Sequence, residues 1–218
     1  KTDRVIRLHY IELDEPNIDI PKGDINYLLE AMEAQWELSG LAYNFSIVPT
    51  LQKILKKGGR KVTVAVFEGN EILSVWPGYH DSIFGVSLDI GSTTVAACLS
   101  DLSSGDVIAS VNTMNPQIRF GEDLMSRVSF AMMNSNGAHQ MTESIRGAIN
   151  DLLHELTEES NVPLTSILEI SIVANPVMHH ILLGIDPCEL GGAPFSLAID
   201  TSVSCLLYTS DAADECLC

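Results

Sequence analysis

Residues 84–99 read FGVSLDIGSTTVAACL, and this stretch decides the fold. A first apolar run ends at Asp89, a glycine and three hydroxyl residues follow, and a second apolar run begins at once. The pattern predicts two strands joined by a tight turn, with Asp89 and residues 91–94 at its tip. A glycine lets the backbone approach a ligand closely, and successive N–H groups and hydroxyls form a concave anion site.

The residues at this tip predict a site for the phosphates of a nucleotide. We expect the phosphates to contact Gly91, Ser92, Thr93 and Thr94. A carboxylate cannot hold a phosphate itself, but Asp89 is expected to hold a hydrated Mg²⁺ that does. The alternative is an ordinary hairpin with a polar tip, because such short patterns recur often.

The segments after the turn favour the nucleotide interpretation. Residues 106–111 predict a third strand that completes a meander, and helical patterns come next. Three strands followed by helices, with an acid at the end of the first strand, is the order found in the actin, sugar-kinase and chaperone ATPase class.

The composition of the 218-residue chain, 46% hydrophobic and 19% charged, is typical of a globular protein with one or two cores. Its formal charge of −17 argues against a nucleic-acid partner, which would require clustered Lys and Arg. No apolar run approaches the roughly 18 residues that a membrane span requires, and no signal segment follows Lys1. We therefore expect a cytoplasmic protein whose gene begins upstream of Lys1.

The five cysteines show no paired spacing, so a disulfide-stapled secreted domain is not expected. Three of them lie in residues 205–218, which read CLLYTSDAADECLC. This segment looks like one reading frame of the adapter DNA used in transposase-based sequencing libraries. We therefore expect the natural protein to end near Ser204 and residues 205–218 to be a non-native tail.

Residues 1–80 are predicted to form a small α+β unit that contains no catalytic constellation. The lone histidines His9 and His80 are expected to serve at the surface or as caps. Hydrophobic periodicity and turn residues indicate the elements of this unit. They are a strand over 4–13, a helix capped by Asp24, a helix over 47–57 and a hairpin over 61–76.

The polar segment 115–123 predicts a loop after the meander, followed by a helix that starts near Glu122 and whose buried face is formed by Leu124, Val128 and Met132. Glu122 and Asp123 fit the preference of helix starts for acids, and contact of this loop with substrate is the alternative. Arg119 and Arg127 flank the loop. Contact with an acidic group is one interpretation of both arginines, and a solvated helix face explains them equally well.

A long helix is predicted over 141–160, and the β-branched run 167–174 predicts a buried central strand. This strand ends at Asn175, a candidate cofactor-binding residue because ligands of α/β sheets collect at the carboxyl ends of strands. The adjacent His179 and His180 point about 100° apart on a helix, so we do not expect them to share a metal ion.

Residues 84–197 resemble the first half of the actin-like ATPase domain in reductive activators of corrinoid proteins. The matching motifs are GVSLDIGSTTV (85–95), NPQIRFGED (115–123), Ser126-Arg127 and ANPVMHHILLGIDP (174–187). Residues 1–80 resemble the linker domain that precedes it in the same family. The resemblance implies an α/β protein with a small α+β linker domain (1–80) and the first, RNase H-like half of an actin-like ATPase domain (84–204), which is incomplete.

The resemblance also implies a function. A full member of the family carries an N-terminal [2Fe–2S] ferredoxin domain and passes an electron to a Co(II) corrinoid on a partner, with the help of ATP. The product is the Co(I) state that methyl transfer requires. This chain has no cysteine before Cys98, so the cluster domain is expected upstream, and the chain by itself is not expected to turn over ATP.

The cofactors implied by the resemblance are ATP, Mg²⁺ and the [2Fe–2S] cluster of the missing domain. Asp89 would position the Mg²⁺, residues 91–94 would hold phosphate, and Asn175 would be a residue of the nucleotide cleft. The partners implied are a corrinoid protein or corrinoid-dependent methyltransferase and an electron donor, and a homodimer stays open.

Two other classes remain open on sequence alone. The first is another ATPase of the actin-like superfamily, either a 2-hydroxyacyl-CoA dehydratase-type activator or a small-molecule kinase. The second is a non-enzymatic actin-like scaffold, which predicts nucleotide-dependent polymerisation. Residues 115–123 and 175–187 favour the corrinoid activator, since their motifs are more particular than the phosphate turn.

Overall fold

The computed structural model describes residues 5–204, which form two compact units. The first unit runs to Phe84 and includes the turn Asp101–Gly105, and the second consists of Gly85–Ser100 and the chain from Asp106 onward. The proposed non-native tail, residues 205–218, lies outside the described residues.

The first unit is a four-stranded sheet with two helices; the two helices and three of the strands are predicted from the sequence, and the short strand Ala42–Tyr43 is not. Its elements are β1 (Ile6–Glu12), α1 (Asp24–Trp36), β2 (Ala42–Tyr43), α2 (Val48–Gly58), β3 (Lys61–Phe67) and β4 (Glu71–Pro77). The sheet order is β1-β3-β4-β2; β3 pairs antiparallel with both β1 and β4, and β2 pairs parallel with β4. The core is apolar and includes Ile11, Leu28, Met32, Leu51, Val62 and Val64.

The start of α1 differs from the prediction by one residue. Gly23 occupies the N-cap position and Asp24 is the first helical residue. The Asp24 carboxylate does not cap the helix, because it accepts a hydrogen bond from Arg60 Nη1 at 3.2 Å. The negative charge still lies in the first helical turn, where the helix dipole favours it.

His9 is buried, so its predicted place at the surface is wrong. Only 9% of the residue is exposed, and its ring meets that of Trp36 edge-on at 4.8 Å between centroids. Burial, followed by the charge of Arg7, lowers the pKa of His9 below its ordinary value of 6.5. His9 therefore stays neutral in the folded chain at pH values where the unfolded chain already binds a proton.

This difference predicts a pH dependence of stability. Because the pKa is lower in the folded state, the stabilisation is complete above about pH 6.5 and is lost as the pH falls through the folded pKa. One proton limits the slope to about 1.4 kcal/mol per pH unit. Urea unfolding at pH 7.5 to 5.0 (roughly the titration range of histidine) measures it.

The His9→Gln variant is expected to flatten the pH dependence, because glutamine does not titrate. His154→Gln is the matched control, since His154 lies exposed on a helix of the second unit. An equal change of slope in both variants would contradict the assignment to His9.

The second unit is a sheet covered by helices. Its elements are β5 (Phe84–Ile90), β6 (Thr94–Asp101), β7 (Val107–Met114), α3 (Leu124–Met133), α4 (Gly137–Ser160), β8 (Ile167–Ala174) and α5 (Pro176–Leu183). The sheet order is β7-β6-β5-β8, and β6 pairs antiparallel with β7. The predicted meander is therefore confirmed, and α4 packs on β7, α3 and α5.

Strand β8 is confirmed in its bounds, but its predicted central position is wrong. It lies at the edge of the sheet formed by the described residues, and Val173 is 67% exposed. A β-branched run indicates a strand because of its backbone preference, and it does not specify the neighbours of that strand. No helix among residues 5–204 is long and apolar enough to cross a membrane.

Candidate functional site

The predicted tip is the turn between β5 and β6, which we call the 91–94 corner. The Gly91 N–H donates to the Thr94 carbonyl oxygen at 2.9 Å and closes the turn. A Cβ at Gly91 would lie 2.9 Å from the same oxygen, so the close approach requires glycine. Asp89, Thr93 and Thr94 are exposed, and Gly91 and Ser92 are half-buried.

Asn115 holds the corner from its buried side. The residue is fully buried, and its Nδ2 donates to the Gly91 carbonyl oxygen at 2.8 Å. Its backbone N–H donates to the Thr93 carbonyl oxygen, also at 2.8 Å. The Asn115 Oδ1 accepts from the Gln117 N–H at 2.9 Å, which fixes the orientation of the amide.

Arg127 holds the remaining carbonyl of the corner. Its Nη2 donates a hydrogen bond to the Ser92 carbonyl oxygen, and its Nε donates to the Gly121 carbonyl oxygen at 2.9 Å. The Nη1 contacts Gln117 Oε1 at 3.4 Å and Met178 Sδ at 3.2 Å. The whole residue is 0% exposed, so of the two interpretations the solvated helix face does not hold for Arg127.

Gln117 connects this arrangement to the long helix. It is fully buried, and its Nε2 donates to the Met141 carbonyl oxygen in α4 at 3.0 Å. Asn115, Gln117 and Arg127, which we call the support cluster, therefore form a polar network between the corner, α3 and α4. A buried network whose members are all hydrogen-bonded is rigid and fixes the backbone that it holds.

Helix α3 starts two residues later than predicted, and Asp123 is its N-cap. The Asp123 Oδ1 accepts from the Ser126 N–H at 2.7 Å, and this bond lowers the pKa of the carboxyl group. The helix-start interpretation is thus confirmed for Asp123. Arg119 is exposed and lies over the Phe120 ring, 4.6 Å from its centroid.

Asn175 is the N-cap of α5 at the end of β8. Its Oδ1 accepts from the Met178 N–H at 3.0 Å. The Met178 Sδ in turn contacts the guanidinium of Arg127 and lies 3.9 Å from Asn115 Nδ2. Asn175 and the corner are thus joined through one methionine and the support cluster, although the two motifs are about 80 residues apart in the sequence.

One histidine of the pair in α5, His180, is used inside the fold. His180 is buried, its Nε2 accepts from the Ala198 N–H at 3.0 Å, and its Nδ1 lies 2.8 Å from the Pro176 carbonyl oxygen. The Nε2 acceptor role requires the Nδ1 to carry the proton. Within residues 5–204, no group of three or more His, Cys, Asp or Glu side chains is placed to hold a metal ion.

The sequence analysis missed the support cluster. Its buried helix face was placed on Leu124, Val128 and Met132, whereas the buried residues are Arg127, Val128 and Ala131, and Met132 is 59% exposed. Arginine is usually exposed, so the predicted buried face leaves out Arg127 and differs from the observed face by about one residue. The sequence signal for the observed face is the four-residue spacing of Arg127 and Ala131, which places both on the same side of a helix.

Two family models match the chain. The model described as the RACo linker region matches residues 1–82, and the one described as the RACo middle region matches residues 84–211. A curated relative from Eubacterium limosum, "Corrinoid activation enzyme RamQ", is 26% identical over 154 residues, which are 70% of this chain and 26% of the relative.

A solved structure shares the fold. The chain named "Reductive activator for corrinoid,iron-sulfur protein" superposes with a TM-score of 0.76 at 30% identity, covering 91% of this chain and 32% of that one. The present chain therefore spans about a quarter of the curated relative and a third of the solved structure. The likeness covers both units, and it supports the predicted fold class of a small α+β linker followed by the first half of an actin-like ATPase domain.

Proposed function

The chain belongs to the RACo family, and from this membership we propose that its protein reactivates a corrinoid by reducing Co(II) to Co(I) in an ATP-dependent step. The observation that carries the proposal is the match of both family regions in their order, over residues 1–82 and 84–211. The substrate is a corrinoid bound to a corrinoid protein or a corrinoid-dependent methyltransferase. The reaction would take place in the cytoplasm. Whether the protein forms a homodimer is tested by measuring its mass in solution.

The residues of the corner fit the phosphates of Mg-ATP. Gly91 has no Cβ where one would meet the Thr94 carbonyl oxygen, and the exposed hydroxyls of Thr93 and Thr94 are suitable donors to phosphate oxygens. The exposed Asp89 carboxylate is a suitable partner for water molecules on Mg²⁺. We assign phosphate binding to Gly91, Ser92, Thr93 and Thr94, and magnesium to Asp89.

Mg-ATP would supply the free energy that makes reduction of the corrinoid favourable. The corner and Asp89 bind and orient the phosphates, and the support cluster keeps the corner in one conformation. Binding energy that is spent on one conformational state shifts the equilibrium towards that state by the difference in affinity. The described residues would thus bind the phosphates of ATP, which is one part of the coupling between ATP and the reduction.

The described residues do not fit an iron–sulfur cluster. A [2Fe–2S] centre needs four ligands that are usually cysteine thiolates. Between residues 5 and 204 the cysteines are Cys98 and Cys188, and burial with Asp186 beside it raises the pKa of the Cys188 thiol to about 11. We therefore assign the electron donor to a group outside these residues.

The direct test uses protein expressed from the complete gene. This protein is mixed with a corrinoid protein in the Co(II) state and a low-potential reductant, and the Co(I) absorption band is followed with and without Mg-ATP. We expect Co(I) to accumulate only with Mg-ATP. Equal accumulation without nucleotide would overturn the ATP-dependent step, and no accumulation in either case would overturn the corrinoid substrate.

Asn175 has a capping role in the structure, and its predicted role in the nucleotide cleft is tested separately. Asn175→Asp keeps an N-cap acceptor but adds a negative charge, so Mg-ATP affinity is expected to fall about 10-fold while stability is kept. Asn175→Ala is expected to lose about 1 kcal/mol of stability with the cap. Calorimetry and urea unfolding measure the two effects.

The control for added charge is Asn161→Asp at the end of α4, an exposed residue with φ of 56° that aspartate also tolerates. Equal loss of Mg-ATP affinity in the 161 and 175 variants would reduce the effect to net charge. Unchanged affinity in Asn175→Asp would leave Asn175 a helix cap only.

A further inference from the structure

Arg127 carries a buried positive charge whose hydrogen-bond acceptors are all uncharged. The residue is 0% exposed, and its four hydrogen-bond acceptors are two carbonyl oxygens, an amide oxygen and a thioether sulfur. None of the ion pairs between residues 5 and 204 includes Arg127. Burial lowers its pKa and the charge of Asp123 raises it again in part. Burying a charge among uncharged acceptors lowers the stability of the fold, so we expect this charge to serve a function that offsets the cost.

The position of this charge is directly behind the corner. The Arg127 Nη2 donates to the carbonyl oxygen of Ser92, and Asn115 donates to the carbonyl oxygens of its two neighbours, Gly91 and Thr93. In a trans peptide the C=O and the N–H of the same peptide unit point in opposite directions. Anchoring the Ser92 carbonyl on the buried side therefore turns the Thr93 N–H away from that side.

The same geometry applies one peptide earlier. Asn115 Nδ2 anchors the Gly91 carbonyl on the buried side, so the Ser92 N–H also points away from it. Two successive N–H groups that face the same way form an anion-binding concavity. A hydrogen bond from a cation to the carbonyl of a peptide also polarises that peptide, which makes its N–H a stronger donor.

We propose that Arg127 is the positioning residue of the phosphate site: it turns the Thr93 N–H towards the ligand and supplies, from behind the corner, the positive charge that the phosphates neutralise. The proposal rests on the proposed function in that the ligand is the phosphate chain of a nucleotide. It predicts selectivity for the charge of the ligand and not for its base, because the charge lies behind the corner.

The first experiment measures binding of Mg-ATP, inorganic tripolyphosphate and adenosine by calorimetry. In Arg127→Gln we expect the affinity for Mg-ATP and for tripolyphosphate to fall at least about 10-fold, the scale of a lost charge-assisted hydrogen bond, with adenosine unaffected. Arg127→Lys keeps the charge without the planar fork, and it is expected to recover part of the loss. Arg119→Gln, an exposed arginine of the same segment, is the control and is expected to bind as the unaltered chain does.

The second experiment needs no ligand. In Arg127→Gln the amide proton of Thr93 is expected to move upfield in the NMR spectrum, since its peptide loses the cation that polarises it. The amide of Ser92, whose peptide is anchored by Asn115, and the amides of α4 are expected to keep their positions. If Arg127→Gln does not fold, Arg127→Lys is used, because the ammonium cannot bond to all the acceptors of the fork at once.

The outcomes separate this proposal from the proposed function. Absence of Mg-ATP and tripolyphosphate binding in the unaltered protein counts against the nucleotide function, and the amide resonance of Thr93 then decides the positioning role alone. An unchanged Thr93 resonance overturns the proposal. An equal loss of affinity for adenosine and for Mg-ATP also overturns it, because a loss of general structure would weaken both.

Discussion

Replacing Asp89 with asparagine is expected to lower the Mg²⁺-dependent affinity for ATP, and with it the ATP-dependent formation of Co(I), by about 100-fold, the upper end for carboxylates that act through metal-bound groups. Asparagine has nearly the same shape as aspartate, but it lacks the charge that holds a hydrated Mg²⁺. Because Asp89 is exposed, the free energy of unfolding is expected to change little. Calorimetry with and without Mg²⁺ measures the effect on binding.

The control is Asp151→Asn, which makes the same chemical change at an exposed position of α4. It is expected to leave Mg-ATP binding as it is. If both variants bind Mg-ATP equally well, Asp89 is not the magnesium partner. If Asp89→Asn weakens binding to the same extent without Mg²⁺, the carboxylate acts on the nucleotide and not through the metal ion.

The second large effect is expected at Gly121. A Cβ at this position would lie 2.7 Å from the backbone nitrogen of Arg127 and 2.7 Å from Ser126 Cβ, with the Ser126 carbonyl carbon at 2.8 Å. Two of these three atoms belong to the backbone of the first turn of α3, which cannot rotate away. Gly121→Ala is therefore expected to cost about 1–3 kcal/mol of stability.

Gly147→Ala is the matched control for Gly121→Ala. Gly147 is exposed in the middle of α4, and a Cβ there would meet no atom within 4 Å. Alanine is the better helix former, so this variant is expected to gain about 1 kcal/mol. Urea unfolding of the two variants should therefore shift in opposite directions. Shifts of equal sign would contradict the close contact at Gly121.

Gly121→Ala is also expected to disturb the corner. A shift of the first turn of α3 moves Arg127, whose Nε is bonded to the Gly121 carbonyl oxygen and whose Nη2 holds Ser92. The amide resonance of Thr93 is the measurement, and a larger change than in Gly147→Ala is expected. An unchanged resonance would mean that α3 absorbs the added methyl group without moving the guanidinium.

Local patterns were sufficient for most of the fold. The meander of β5, β6 and β7 follows from apolar runs separated by short polar turns, and α4 follows from apolar residues at helical spacing. Both signals act between neighbours in the chain, so they do not depend on distant contacts. The motifs in residues 115–123 and 174–187 were sufficient for the family, which the matches over both regions confirm.

Burial and strand position depend on distant contacts, and here the structure differs from the sequence predictions. His9 is expected at the surface or as a cap, and a solvated helix face is one of two interpretations of Arg127, but both residues are buried. Strand β8 was placed at the centre of the sheet because its residues are β-branched, and it lies at the edge of the described sheet. In each case the residue type gives an average preference, and the contacts of the folded chain decide the outcome.

By itself, the sequence determined where the turn lies, that Gly91 closes it, and that exposed hydroxyls and the Asp89 carboxylate surround it, because turns are set by residues adjacent in the chain. Only the tertiary structure decided what stands behind the turn. Asn115 and Arg127 reach the carbonyl groups of residues 91–93 from segments more than 20 residues away, with Asn115 Nδ2 joined to Gly91 across 24 positions and Arg127 to Ser92 across 35. A guanidinium tolerates burial only where folding has assembled enough acceptors around it, and no local pattern records that assembly.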